Sequence, residues 1–468
     1  MRHSPSVVDR ALACVLRPFA RVAPSGAVTV VIMTATVFLG TSEAQAAPDK
    51  RDPPDYAGRP SPPPTLGESL LWIPRVVFSP IYFTTEFLVR RPVGALEVAA
   101  ERANLPEVLY DFFTFGPDHK AGWAPVAFVD FGINPSIGVY AFWDDAFLSG
   151  NDLRAHFVAW PDAWLGGSLV DRVRLRNGDT VALRFEGSRR PDYPFYGLGP
   201  RSVESSQSRY GADRIGASLT ADFPFWRASK FEMGAGVRYA TFYDGHYLHD
   251  PGIVESANAG QFGLPPGFPS GYAAEVNRVG VALDSRRPFP YSGSGFRLEG
   301  SAEEENGFGP IRSSAWIRYE AGAGMFLDLD GHRRVVSLSG VAIFADPFGS
   351  IPVPFTELAT LGGDKAPMPG FLPGRMIDRS AAVATLRYTW PIAAWVSGSA
   401  QAAVGNVFGA QLEGLDARLL RFSAALGLQT DGSPDSSFQV LFGIGTETFE
   451  QGGKVDSFRL AIGATTGL

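Results

Sequence analysis

The chain is 468 residues long, 45% hydrophobic and 19% charged, with a formal net charge of -7. So modest a charge gives no sign of a nucleic-acid partner. The only cysteine, Cys14, precedes every predicted strand, so a chain processed beyond it cannot form disulfides.

Arg2, Arg10, Arg17 and Arg21 lead into an apolar run over residues 26–39, and Ala44-Gln45-Ala46 offers a small-x-small cleavage site. Residues 1–46 are therefore predicted to be a secretory signal peptide, because the run is short for a membrane-anchoring helix. Residues 47–69 are proline-rich and polar, and read as an extended linker. Residues 70–115 read as a short helical segment. Pro74 and Pro80 break its first part, and Leu96–Arg102 forms an amphipathic turn or two. A helical cover at a barrel mouth, a partial plug and an interfacial anchor are the roles it could fill. No later stretch has about twenty uninterrupted apolar residues, so any membrane crossing falls to strands.

From residue 120 to the end, short segments alternate between apolar and polar residues. In Lys230–Tyr239, one face carries Phe231, Met233, Ala235, Val237 and Tyr239, and the other carries Glu232, Gly234, Gly236 and Arg238. Strand side chains alternate between faces, so such a segment has one apolar and one polar surface. Repeated many times in an exported chain, this pattern predicts an all-β fold, a 16-stranded antiparallel transmembrane barrel with lipid outside and a polar lumen. The 53 glycines, above a globular average of roughly 7%, agree with close packing and tight turns.

The sixteen strands are centred near Val126, Val139, Phe157, Val170, Ala182, Ala217, Ala235 and Val281, then Leu298, Ile317, Leu338, Leu386, Ala402, Ala425, Val440 and Leu460. Compact turn sequences, such as Asn177-Gly178, Phe225-Trp226-Arg227, Asp330-Gly331-His332 and Gly432-Ser433-Pro434, fall on even-numbered connections. The long connections, over residues 189–208, 245–272 and 346–378, are assigned to odd positions, the third, seventh and eleventh. With the N-terminus in the periplasm, the short turns are periplasmic and the long loops external. Trp123, Trp143, Trp160, Trp226 and Trp316 read as interfacial girdle residues, with packing of some in the lumen as the alternative.

No catalytic, metal or cofactor site is expected. A lipase would need a serine and a histidine together, but the six histidines are scattered, and Ser292-Gly293-Ser294-Gly295 has no strand–turn–helix elbow around it. His246, His249 and Asp250 read as solvated loop residues, and Glu303-Glu304-Glu305 as a solvated strand end.

Several strings, in order, resemble the BamA/TamA-like outer-membrane superfamily, the bacterial surface antigen barrel, over about three quarters of the chain. Tyr193-Pro194-Phe195-Tyr196-Gly197-Leu198-Gly199-Pro200, followed by Tyr210, looks like the family's early external loop. Asp284, Arg286, Pro288 and Gly293 match its Asp-x-Arg, Pro, Gly periplasmic turn. Leu361-Gly362-Gly363 through Phe371-Leu372-Pro373-Gly374-Arg375 and Asp378 resembles its inward-folding loop, and Arg387-Tyr388-Thr389-Trp390-Pro391 the strand after it. The resemblance implies a bacterial outer-membrane location after signal cleavage, with lipid and lipopolysaccharide around the barrel. It also implies an unfolded or exported polypeptide as partner, in outer-membrane protein insertion or translocation. A passive or selective small-solute channel and a plugged, surface-exposed structural barrel are the alternatives. No POTRA repeats, the family's periplasmic modules, are recognised.

Two positions depart from the family pattern. Met368-Pro369-Gly370-Phe371 carries proline where the family has arginine, and Ala403-Val404-Gly405-Asn406-Val407-Phe408 carries alanine where its acidic partner stands. The loop is therefore expected to be anchored by packing of Phe371 with no electrostatic lock, and Arg375 to be solvated, its substitution for the missing arginine from a neighbouring position being the alternative.

Overall fold

The computed structural model describes residues 111–466, except 162–163, 288–292, 309–313, 364–365, 394–395 and 431–435, together with Val76 and Val108. The predicted signal peptide, linker and most of the helical segment lie outside the described residues.

Sixteen antiparallel strands form a closed barrel. They are β1 (Ala121–Asp130), β2 (Ser136–Asp144), β3 (Asn151–Trp160), β4 (Trp164–Arg174), β5 (Thr180–Phe195), β6 (Ser208–Trp226), β7 (Ser229–Asp244) and β8 (Tyr272–Asp284). The second half comprises β9 (Gly295–Gly307), β10 (Ala315–Asp328), β11 (Val335–Pro347), β12 (Ser380–Ala393), β13 (Val396–Phe408), β14 (Arg421–Thr430), β15 (Ser436–Thr446) and β16 (Val455–Thr466). Every predicted strand centre falls inside its strand. The first long connection, after β5, is the fifth rather than the third, which leaves the odd–even rule intact.

Each strand pairs with its sequence neighbours, and β16 returns to pair with β1. The alternation places side chains as the pattern requires. On β7, Val237 and Tyr239 are exposed outward, while Glu232 and Arg238 join lumenal ion pairs. Outward Ile215, Phe185, Val279, Leu298, Leu338 and Leu386 extend the same apolar belt. In lipid only a closed sheet satisfies every backbone group, so this belt and the closure depend on each other.

Wall height is uneven. Strands β1 to β4 have 9 to 11 residues, about the minimum for a tilted crossing, whereas β5, β6 and β7 have 16, 19 and 16. The girdle assignment holds for Trp123, Trp143 and Trp226, which are exposed. It fails for Trp316, buried in the lumen under the eleventh connection, and for Trp160, which lines a lumenal cavity. Both sit at inward positions, and composition alone does not say which way a strand-end aromatic points.

With short turns periplasmic, His246→Cys is expected to react with an impermeant maleimide on intact cells. His332→Cys, in the β10–β11 turn, should react only after the outer membrane is opened. Reversed labelling would mean the barrel is inserted the other way.

Candidate functional site

Barrel closure is the shortest strand join among the described residues. Only Asp130, Val129 and Phe128 of β1 register with β16, against Ala461, Ile462 and Gly463. The next-shortest join, β14 to β15, runs from Ser423–Gly445 through Gln429–Gln439. One further backbone bond, Phe131 N–H to Leu460 O at 3.0 Å, extends the seam at its upper end. Lower on the same edge of β1, the chain's own approach segment takes the place of β16, with Thr114 registering with Gly122 and Phe115 with Ala121. Phe112 and Phe113 pack against Trp123, with ring centroids 6.1 and 5.0 Å away. Between these two contacts, residues 123–127 have no registered partner on the seam side among the described residues. Gly463 has φ +150, and a Cβ there would lie 2.2 Å from Ala127 O, so only glycine lets β16 come this close.

A buried ion pair clamps the seam. Arg459 of β16 donates from Nε and Nη2 to both carboxylate oxygens of Asp130 on β1, at 3.0, 3.1 and 2.6 Å, with both side chains almost wholly buried. Its Nη1 also donates to Pro369 O at 3.3 Å. Asp130 and Arg459 escaped the sequence reading because each is merely one polar residue at an inward strand position.

Pro369 belongs to the eleventh connection, which folds into the lumen. It carries a short turn at Phe355–Glu357 and a ribbon pairing Ala359–Thr360 with Ile377–Asp378. Leu361, Met368, Phe371 and Met376 are fully buried together with Ala403 and Val407 of β13. Ala403 therefore faces the loop, and an acid there would be buried among apolar groups. At the tip, Gly370 N–H donates to Ser423 Oγ at 3.0 Å and Gly370 O accepts from Ser457 Oγ at 2.9 Å. A Cβ on Gly370 would lie 2.0 Å from Ile444 O, and one on Gly445 2.4 Å from the Phe371 ring. The small inward residues Ser423, Gly443, Gly445 and Ser457 were the sequence signal that something seats on this wall. Gly370→Ala is expected to cost about 1–3 kcal/mol through overpacking, read as a lower urea midpoint of the barrel in lipid vesicles. An unchanged midpoint would show that the tip rests elsewhere.

Arg375 is not solvated. It is 1% exposed, donating from Nη1 to Ser202 O and Oγ at 2.8 and 2.9 Å and from Nη2 to Asp456 at 2.9 Å. Its Nε lies 3.1 Å from Glu204 Oε2, and its guanidinium sits 5.0 Å from the Tyr196 ring centroid. Burial pushes the Glu204 carboxyl above its usual range, with Arg375 pulling it back. Asp378 is likewise raised by burial, against a backbone hydrogen bond from Arg379. Gly374 takes φ +83, and a Cβ there would lie 2.1 Å from Pro194 O. The early external loop and the inward loop thus meet, and Gly199 N–H donates to Ile377 O at 3.0 Å. The expected absence of an electrostatic lock is corrected: the arginine missing from the tip is matched by Arg375 within the loop and Arg459 on the wall.

At the other mouth, Arg286 donates to Asp284 from its backbone N–H, Nε and Nη2 at 3.0, 3.0 and 2.7 Å, which closes the β8–β9 turn. Gly293 has φ +95 there, and Pro288 lies outside the described residues. Glu303 and Glu305 are not a solvated strand end, since both face the lumen and pair with Arg238.

No family model and no curated protein matches the chain. Among solved structures, it is similar to BamA from Haemophilus ducreyi lacking POTRA domains 1–3, at 16% identity and a TM-score of 0.51, over 74% of this chain and 70% of that one. It is also similar to CdiB from Acinetobacter baumannii, at 12% identity and a TM-score of 0.47, over 73% of this chain and 59% of that one. The fold is that of a BamA-like β-barrel, and the described residues include no POTRA repeat.

Proposed function

We propose that this barrel inserts or translocates polypeptide at the outer membrane, using the seam between β1 and β16. The observation that carries the reading is the edge of β1, registered with β16 only over Phe128–Asp130 and with the chain's own Thr114–Phe115 further down. A strand edge with unshared N–H and C=O groups is a template for an added extended peptide. The short β1 to β4 wall beside it supports the same reading, because a thin apolar belt puts the edge under a locally thinned bilayer. The likeness in fold to BamA adds support. An open passive channel fits less well, since the eleventh connection fills part of the lumen with Leu361, Met368 and Phe371 wholly buried.

The test is site-specific photocrosslinking in living cells from a benzophenone side chain at Trp123, with Val237 on the lipid face of β7 as control. Polypeptide adducts are expected from Trp123 and not from Val237. Equal yields at both sites, or adducts at neither, would overturn the reading.

A further inference from the structure

Away from the seam clamp, the lumen holds a cavity of about 550 Å³ bounded by β1, β3, β5, β6 and β7 and reaching Arg318 of β10. That size lies within the usual range for small-molecule sites, roughly 300–1,000 Å³. One side is apolar, formed by Val126, Ile133 and Val158. The other presents Arg190, Arg214, Arg238 and Arg318, with Glu186 and Glu357 as the carboxylates of the lining.

Most of these charges are already committed. Glu186 pairs with Arg184 at 2.7 Å, and Arg190 pairs with Asp192. Arg238 binds Glu357, Glu305 and Glu303 at 2.6, 3.1 and 3.5 Å, and Glu357 also accepts from Tyr272 Oη. Arg214 and Arg318 differ: among the described residues neither has a carboxylate within ion-pair distance, and both reach Glu357 only through space. Arg214 Nε is sealed from solvent without a hydrogen-bond partner, and its Nη2 reaches Tyr210 Oη only at 3.5 Å.

Arg214 is held instead by stacking. Its guanidinium lies 4.8 Å from the Tyr193 ring centroid; Arg190 lies 5.1 Å from the same centroid and 5.2 Å from that of Trp160. An arginine oriented by rings and without a carboxylate at ion-pair distance keeps its charge available to an anion.

We propose that this cavity binds a small organic carboxylate, its head group on Arg214 and Arg318 and its apolar body against Val126, Ile133 and Val158. The proposal does not rest on polypeptide handling, although Val126 comes from β1, one strand of the seam.

The test uses full-length protein in lipid nanodiscs, with benzoate as probe and binding read by saturation-transfer NMR against empty discs. Benzoate is expected to bind at least tenfold more tightly than benzamide or benzylamine, a comparison that needs no variant. Arg214→Met and Arg318→Met should each weaken benzoate at least tenfold, and Arg214→Lys less. Arg297→Met, at a lumenal arginine paired with Glu299, should leave it within twofold. Heat-modifiable migration confirms that each variant is folded. Benzamide binding as tightly as benzoate, or an Arg214→Met barrel that is folded and binds benzoate within twofold of the parent, would overturn the proposal.

Discussion

Arg375→Ala is expected to destabilise the barrel by about 3 kcal/mol, because it removes a buried guanidinium shared by Asp456 and the partly exposed Glu204 and leaves Asp456 only Arg421, 3.9 Å away. The side chain also ties two connections together, since its Nη1 donates to Ser202 O and Oγ at 2.8 and 2.9 Å across 173 residues of sequence. Arg375→Lys should recover only part of the loss, for an ammonium cannot reach Ser202, Asp456 and Glu204 in one plane. Urea titration of the barrel refolded into lipid vesicles measures the effect. A shift under about 1 kcal/mol would mean that the guanidinium is solvated after all.

The second large effect belongs to the seam. Asp130→Ala strands Arg459 in a buried site, and a loss of about 3–5 kcal/mol is expected. The loss should be concentrated where β1 meets β16, because no other side-chain ion pair joins these two strands among the described residues. Arg459→Met should behave similarly and also release Pro369 O. Asp130→Leu combined with Arg459→Met should cost less than the sum of the singles, since no uncompensated charge remains. The double-mutant cycle gives the coupling directly, and additive losses would show that the two groups do not depend on each other. The seam amides at Val129 and Ile462 should exchange hydrogen faster in Asp130→Ala, while those of β11 and β12 are unchanged.

The sheet was readable from the sequence for a physical reason. In a membrane barrel every strand must be apolar outward over its whole crossing, so the period-two signal repeats sixteen times without interruption. Turn chemistry and loop parity then agree, because the tight turns at one mouth need residues such as Asn177-Gly178 whereas the loops at the other can be long. The site was less legible. Alternation places Asp130, Arg459, Glu305 and Trp316 on the inward face but does not say which inward positions meet water and which lie beneath the folded loop. That distinction rests on contacts between distant segments, such as Arg459 with Asp130 and Arg375 with Ser202. The family-like strings around Gly199, Phe371 and Asp284 did mark places where connections pack or close. The strings could not show that losing the tip arginine is offset by cations elsewhere.

The proposed use of the seam is tested most directly by locking it. Val129 and Ile462 are registered partners facing the lipid, so Val129→Cys with Ile462→Cys closes the join covalently on oxidation. The measurement is the folding rate of an added, unfolded eight-stranded barrel polypeptide into vesicles containing the protein, read by heat-modifiable migration. Oxidation should reduce that rate to the value for protein-free vesicles, and a reductant should restore it. A control bridge between Leu386→Cys and Ala402→Cys, registered partners on β12 and β13, should leave it unchanged. Full activity with the β1–β16 seam oxidised would contradict the account.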